Sequence, residues 1–153
     1  MKRRLLLWVI VALCLCAAGA LSEEETKTFD LRFDEGFTLS LPDGWVSYPA
    51  GEGATRYALG PGDGARFLFI QVRPTELDGY DALRAAVEAN GDCDRISALD
   101  LNGTAFVAFI VSSLNASGCV TIHDGNLIAF LFTPQDDSDY MLVAAQIMAS
   151  IKF

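Results

Sequence analysis

Histidine is nearly absent: His123 is the single one in 153 residues. One imidazole cannot supply the usual zinc ligand set, and no Ser or Cys is tied to it by a nucleophile motif. Basic residues are also scarce, eleven Lys and Arg against twenty Asp and Glu, a formal charge of −9. An acidic surface repels phosphate backbones and anionic bilayers, so it disfavours nucleic acid and an anionic membrane face as partners. Cysteine is sparse, four in all, and two of those lie in the first twenty residues. No apolar run long enough to span a bilayer occurs after residue 20. There is no internal repeat and no low-complexity tract.

What is present begins with an export signal. Lys2, Arg3 and Arg4 precede the apolar run 5–16, and Ala18-Gly19-Ala20 is a small-residue cleavage site. Residues 1–20 read as a signal peptide and 21–28 as a polar lead-in, with a retained N-terminal anchor as the other reading. Cys14 and Cys16 each follow a leucine, which does not suit lipoprotein processing. Cleavage leaves eight basic residues against twenty acids, a formal charge of −12. The chain is expected to be exported, secreted or otherwise extracytoplasmic, from a bacterial source. Cys93 and Cys119 then remain as an even pair, and a disulfide between them is expected in an oxidising compartment. Two free thiols are the other reading. Strand levels put both cysteines at one end of the sheet, about 9.5 Å apart in plane, so the bond requires Gly91-Asp92-Cys93 to fold across the edge.

The organising stretch is residues 37–45. Phe37, Leu39 and Leu41 alternate with Thr38 and Ser40, the period of a strand with one buried face. Pro42 stops the ladder, Asp43-Gly44 turns the chain, and Trp45 closes over the end of a core. Residues 29–33 supply a preceding strand, joined by Asp34-Glu35-Gly36. Residues 55–59 and 65–73 are further strands. The glycine cluster 60–64 is followed by a strand, whereas a phosphate loop opens a helix, so it is read as a hairpin turn. A helix is expected over 79–90, with Asp78 as N-cap, Gly91 as stop and an apolar stripe of Leu83, Ala86, Val87 and Asn90. Residues 95–133 form a four-stranded meander, with Asn102-Gly103 the strongest hairpin signal. Phe67 to Ile70, Phe106 to Val111 and Leu127 to Phe132 are apolar on both faces and demand cover on both sides of the sheet. A last helix follows over 139–150, capped by Ser138, with a stripe of Met141, Ala144, Ala145 and Met148 and an apolar arc extended by Leu142 and Ile147. One α+β domain results: an α/β/α sandwich with a central antiparallel sheet of about six to eight strands and two main helices.

The stretch 37–45, the mid-chain helix, the Asn-Gly meander and the closing Met-Ala-Ser-Ile-Lys-Phe resemble the PsbP-like family, the fold of the extrinsic photosystem II protein and of small exported bacterial proteins. The resemblance covers residues 29–153 and implies the same sandwich. It carries no active site, because the termini and loops through which photosystem members assist a metal cluster have no counterpart residues here. A nuclear-transport relative with this fold binds a small GTPase, which an exported chain would not meet.

Candidate sites are few. His123 and Asp124, as strand neighbours, would point to opposite faces. Asp136, Asp137 and Asp139 lack the glycine and distant Glu of a calcium loop and are read as helix-capping acids. Asn102-Gly103-Thr104 and Asn115-Ala116-Ser117 match a glycosylation triplet that matters only in a eukaryotic secretory route. Trp45, Tyr48 and Tyr57 are the candidate partner-binding surface, with core capping as the alternative. No catalytic residue, metal ligand or cofactor is assigned. The expected function is a non-enzymatic exported accessory module that presents loops to a protein or cell-envelope partner. The alternatives are a loop-assembled small-ligand protein or hydrolase, and a structural domain on a retained anchor.

Overall fold

The computed structural model describes residues 27–51, 53 and 55–153. The signal-peptide reading of 1–20 and most of the lead-in lie outside them. Seven antiparallel strands form the main sheet: β3 (Val46–Tyr48), β4 (Thr55–Gly60), β5 (Phe67–Pro74), β6 (Asp94–Leu101), β7 (Thr104–Val111), β8 (Ala116–His123) and β9 (Asn126–Thr133). Their spatial order is β3-β4-β5-β9-β8-β7-β6. The residues before them, β1 (Thr28–Arg32) and β2 (Thr38–Pro42), make a separate two-stranded hairpin. Helix α1 (Gly79–Ala89) packs on one face of the main sheet, and α2 (Ser138–Ala149) on the other beside the hairpin. The α/β/α sandwich is therefore present, with the hairpin as an added part of one outer layer.

Local chemistry explains the main turns. Asn102 and Gly103 both take positive φ, 54° and 83°, the pair a tight right-twisted hairpin requires. The Asn102 side-chain amide also donates to the carbonyls of Ala149 (3.1 Å) and Ile151 (2.7 Å), tying the β6–β7 turn to the end of α2. The cap of α2 is Asp137, one residue before the expected Ser138; its carboxylate accepts from the Tyr140 amide at 2.9 Å. Strand β3 was not foreseen, because three residues are too few to show a period.

The hairpin is stitched on by backbone. Thr38 and Lys152 exchange amide–carbonyl bonds of 2.8 and 3.1 Å, and the Ser40 amide donates to the Ser150 hydroxyl at 2.8 Å. Phe37, Leu39 and Leu41 are buried beneath it as the alternation predicts. Phe37 stacks on Phe33 at 4.5 Å and meets Phe130 edge-on at 5.4 Å. Trp45 stacks on Tyr140 of α2 at 6.4 Å, so it closes the core from that side.

Helix α1 is anchored by one buried residue, Leu83. It rests chiefly on β7 and β8. Helix α2 buries Ala144 and Met148 of the expected stripe together with Ile147, which extends the arc, and Tyr140, which was not foreseen, while Leu142 is left exposed.

Candidate binding cleft

Because α1 sits over β7 and β8, the same face of β9 and β5 is left bare. A cleft of about 480 Å³ opens there between the helix and the sheet. One wall is the stripe Leu83, Ala86, Val87 and Asn90 of α1. The floor is Leu127, Ala129 and Leu131, alternate residues of β9 and so on one face, with Val120 and Phe109 beyond them. Gly118 lets that floor close up: a Cβ there would lie 2.7 Å from Leu131 Cδ2 and 3.0 Å from the Phe109 ring. Leu114, on a short 3-10 turn, lines one end and is 62% exposed.

The apolar surface continues past the cleft. Register places Leu131 beside Phe69, Phe69 beside Ala58 and Ala58 beside Tyr48, all on one face. Phe69 stacks on Phe67 at 5.5 Å, and Tyr48 meets Phe67 edge-on at 5.2 Å. Both phenylalanines are half-buried. The expectation that β5 is covered front and back thus holds for Leu68 and Ile70 and only in part for Phe67 and Phe69.

The three aromatics singled out from sequence do not form one cluster. Tyr48 lies on the cleft face. Trp45 and Tyr57 lie on the opposite face, in and against the hairpin–α2 core. Tyr57 is held there by its hydroxyl, which donates to Glu35 at 2.9 Å, and by its edge-on contact with Phe33 at 4.8 Å. Tyr57 pairs with Ile70 in register, which fixes its side of the sheet.

The expected disulfide is corrected. Cys93 and Cys119 are free thiols on opposite faces. The Cys93 amide donates to the Asn90 carbonyl at 3.1 Å, which keeps the residue under the end of α1, lining the cleft. A bulge between Asp94 and Ser97, with Arg95 at φ 52°, follows it. Cys119 lies between Ala108 and Phe130 in register and faces the hairpin–α2 core. Burial pushes the Cys119 thiol up to about 12. Burial, then the carboxylates of Asp92 and Asp94, raise the Cys93 thiol as well. Both sulfurs are held neutral, the opposite of an activated nucleophile.

His123 lies on the hairpin face, away from the cleft. Its ring packs on Phe153 with centroids 4.4 Å apart, and its Nε2 is 3.4 Å from Asp124 Oδ2. The two do approach, contrary to the strand-alternation expectation, because Asp124 is a turn residue at φ 47°. Asp136 accepts from the Asn115 side-chain amide at 2.7 Å, and Asp137 caps α2. Among the described residues no three His, Cys, Asp or Glu converge as a metal site, and no helix is long and apolar enough to cross a membrane.

The arrangement of sheet, hairpin and helices has a counterpart among solved structures. The solution structure of cyanobacterial PsbP from Synechocystis matches with a TM-score of 0.58 at 14% identity, over 89% of this chain and 98% of that one. The fold is PsbP-like. At that identity the likeness is one of fold. A crystal structure from Bacteroides thetaiotaomicron matches at 16% identity and a TM-score of 0.47, over 76% of this chain and 44% of that one. No protein-family model and no curated protein sequence matches the chain. Sequence reasoning missed the cleft itself. The α1 stripe that forms its wall was legible; the width of sheet that one helix leaves bare was not.

Proposed function

We propose that this protein is a non-enzymatic accessory module, exported after loss of residues 1–20, that binds a protein partner through the α1 face of its sheet. One observation carries the reading: register continues the cleft face from Leu131 of β9 to Phe69 of β5, where Phe69, Phe67 and Tyr48 form a half-buried aromatic ledge beside the cleft. Partly open apolar surface with aromatic side chains is the kind of surface at which partners anchor. The PsbP-like fold agrees with such a role by analogy, since the fold hosts sites without dictating them.

The test is site-specific photo-crosslinking in the native host. A photoreactive residue at Ala86 or Tyr48 should capture one and the same protein, and one at Asp81, outside the cleft, should not. Failure of both cleft positions to capture any protein would remove this reading. Intact mass of the exported chain checks the cleavage: loss of residues 1–20 is expected, and retention of the full N-terminus would make the protein an anchored one.

A further inference from the structure

Sulfur is concentrated in one place, on the α2 side of the sheet. Of the four Cys and Met side chains among the described residues, three line a second cavity, about 360 Å³, between α2 and the sheet: Cys119, Met141 and Met148. Small residues leave that space. Register sets Ala108 of β7 beside Cys119, and Ala144 and Ala145 of α2 border the cavity between the two methionines. Met141 and Met148 stand seven residues apart, two turns and about 10.5 Å along the helix, and so share a face. Each is long and unbranched with three rotatable bonds, which lets both thioethers swing over the alanines towards the gap. Cys119 is a free thiol and only 4% exposed. The side-chain hydrogen bonds of β8 and β9 run from Thr121, Asn126 and Thr133 and leave it out. Among the described residues no charged side chain borders the cavity. Met141 is half-buried, so solvent reaches the cavity at that residue.

We infer that this cavity binds a soft monovalent metal ion, Cu(I), through the Cys119 sulfur and the thioethers of Met141 and Met148. Thiolate and thioether donors suit Cu(I), whereas oxygen donors suit the harder cations. The want of a His, Cys, Asp or Glu cluster bears on those harder cations and not on a site with this donor set. Charge decides the valence. The ion takes the place of the thiol proton: one S–H bond breaks, one S–Cu bond forms, the proton goes to water and no electron is transferred. The resulting thiolate–Cu(I) pair is neutral, which an apolar cavity accepts, while a divalent ion would leave a buried positive charge with no partner. Burial keeps the thiol protonated when no metal is present, so metal and proton compete for one sulfur. Packing alone would fill this space; three sulfur side chains instead border an open volume. The site lies on the α2 side and is independent of the protein-binding reading of the α1 face.

The test uses the exported protein carrying Cys93→Ser, which removes the other thiol, titrated anaerobically with Cu(I) against the chromophoric chelator bathocuproine disulfonate. One Cu(I) per chain is expected to leave the chelator. Its affinity should rise about tenfold per pH unit below the thiol pKa, because one proton is released on binding. X-ray absorption of the loaded protein should show sulfur neighbours around copper. Cys119→Ala should abolish binding. Met141→Leu and Met148→Leu keep the core volume and the circular dichroism spectrum. Each should weaken binding at least about tenfold, since even an outer-shell partner of a metal is worth that much. The leucine variants carry the test if Cys119→Ala fails to fold. No transfer of copper, nitrogen or oxygen neighbours only, or displacement of Cu(I) by an equal concentration of Zn(II) would each overturn the inference. Binding untouched by the double variant Met141→Leu/Met148→Leu would overturn it as well and mark an adventitious ion only.

Discussion

On one face of the main sheet the hairpin and α2 lie side by side; on the other, α1 lies alone. The difference is one of width. Seven strands cover six spacings, about 29 Å, while a helix with its side chains is about 10–12 Å across. A helix and a two-stranded hairpin together shield most of such a sheet, and a single helix shields two or three strands. The burial follows. Among the described residues the hairpin–α2 core holds eighteen buried side chains and the α1 core six. The first face holds most of the buried core, and the second, held by Leu83, leaves apolar surface partly open, which is the surface the proposed function uses. Uneven cover thus leaves one densely packed side and one side with a partly open apolar cleft.

Truncations of the same kind on the two faces should separate these roles. Phe37→Ala removes a fully buried ring that touches Phe33, Phe130 and Phe153. It should cost about 3–5 kcal/mol in denaturant-induced unfolding and loosen the hairpin. Leu83→Ala should cost about 2–3 kcal/mol, at the lower end of such truncations, because its site opens onto the cleft. Its signature is loss of α1 helicity with the sheet intact, and a loss as large as that of Phe37→Ala would erase the contrast between faces. Tyr140→Phe tests the dense side from the opposite direction. The Tyr140 hydroxyl is buried with no hydrogen-bond partner among the described residues. Removing it should stabilise the protein by about 1 kcal/mol, since an unpaired buried hydroxyl is a net cost. Cys93→Ser should change stability by less than about 0.5 kcal/mol, because the residue is half-buried and unbonded. A loss of about 2–5 kcal/mol would mean that the disulfide forms after all.

Much of the first face was legible in sequence, and the second was legible only as parts. Alternation at Phe37, Leu39 and Leu41 names a buried row, and Asn102-Gly103 names a turn, because each is a local rule of backbone geometry. The α1 stripe was equally local, and all four of its residues border the cleft. Whether a stripe is sealed or open depends on how many strands lie beneath it and where the helix lands, which no periodicity encodes. The aromatic trio failed for a simpler reason. Trp45 and Tyr48 are three residues apart in an extended segment, so they point to opposite faces once β3 is recognised. Cys93 was placed at the right end of the sheet; Cys119 was not, because β8 begins at Ala116 and puts Cys119 level with Ala108 in mid-strand, and the turn at Asn90 together with the bulge at Arg95 keeps Cys93 with α1 on the other face.

Native-state hydrogen exchange compares the two faces in one sample. Amides of α1 should exchange through a local opening at a free energy well below that of global unfolding, while those of α2 and β9 exchange only when the whole domain unfolds. Protection of α1 equal to that of α2 would show that the lone helix is sealed as firmly as the opposite layer, and the division into a stabilising face and a binding face would be wrong.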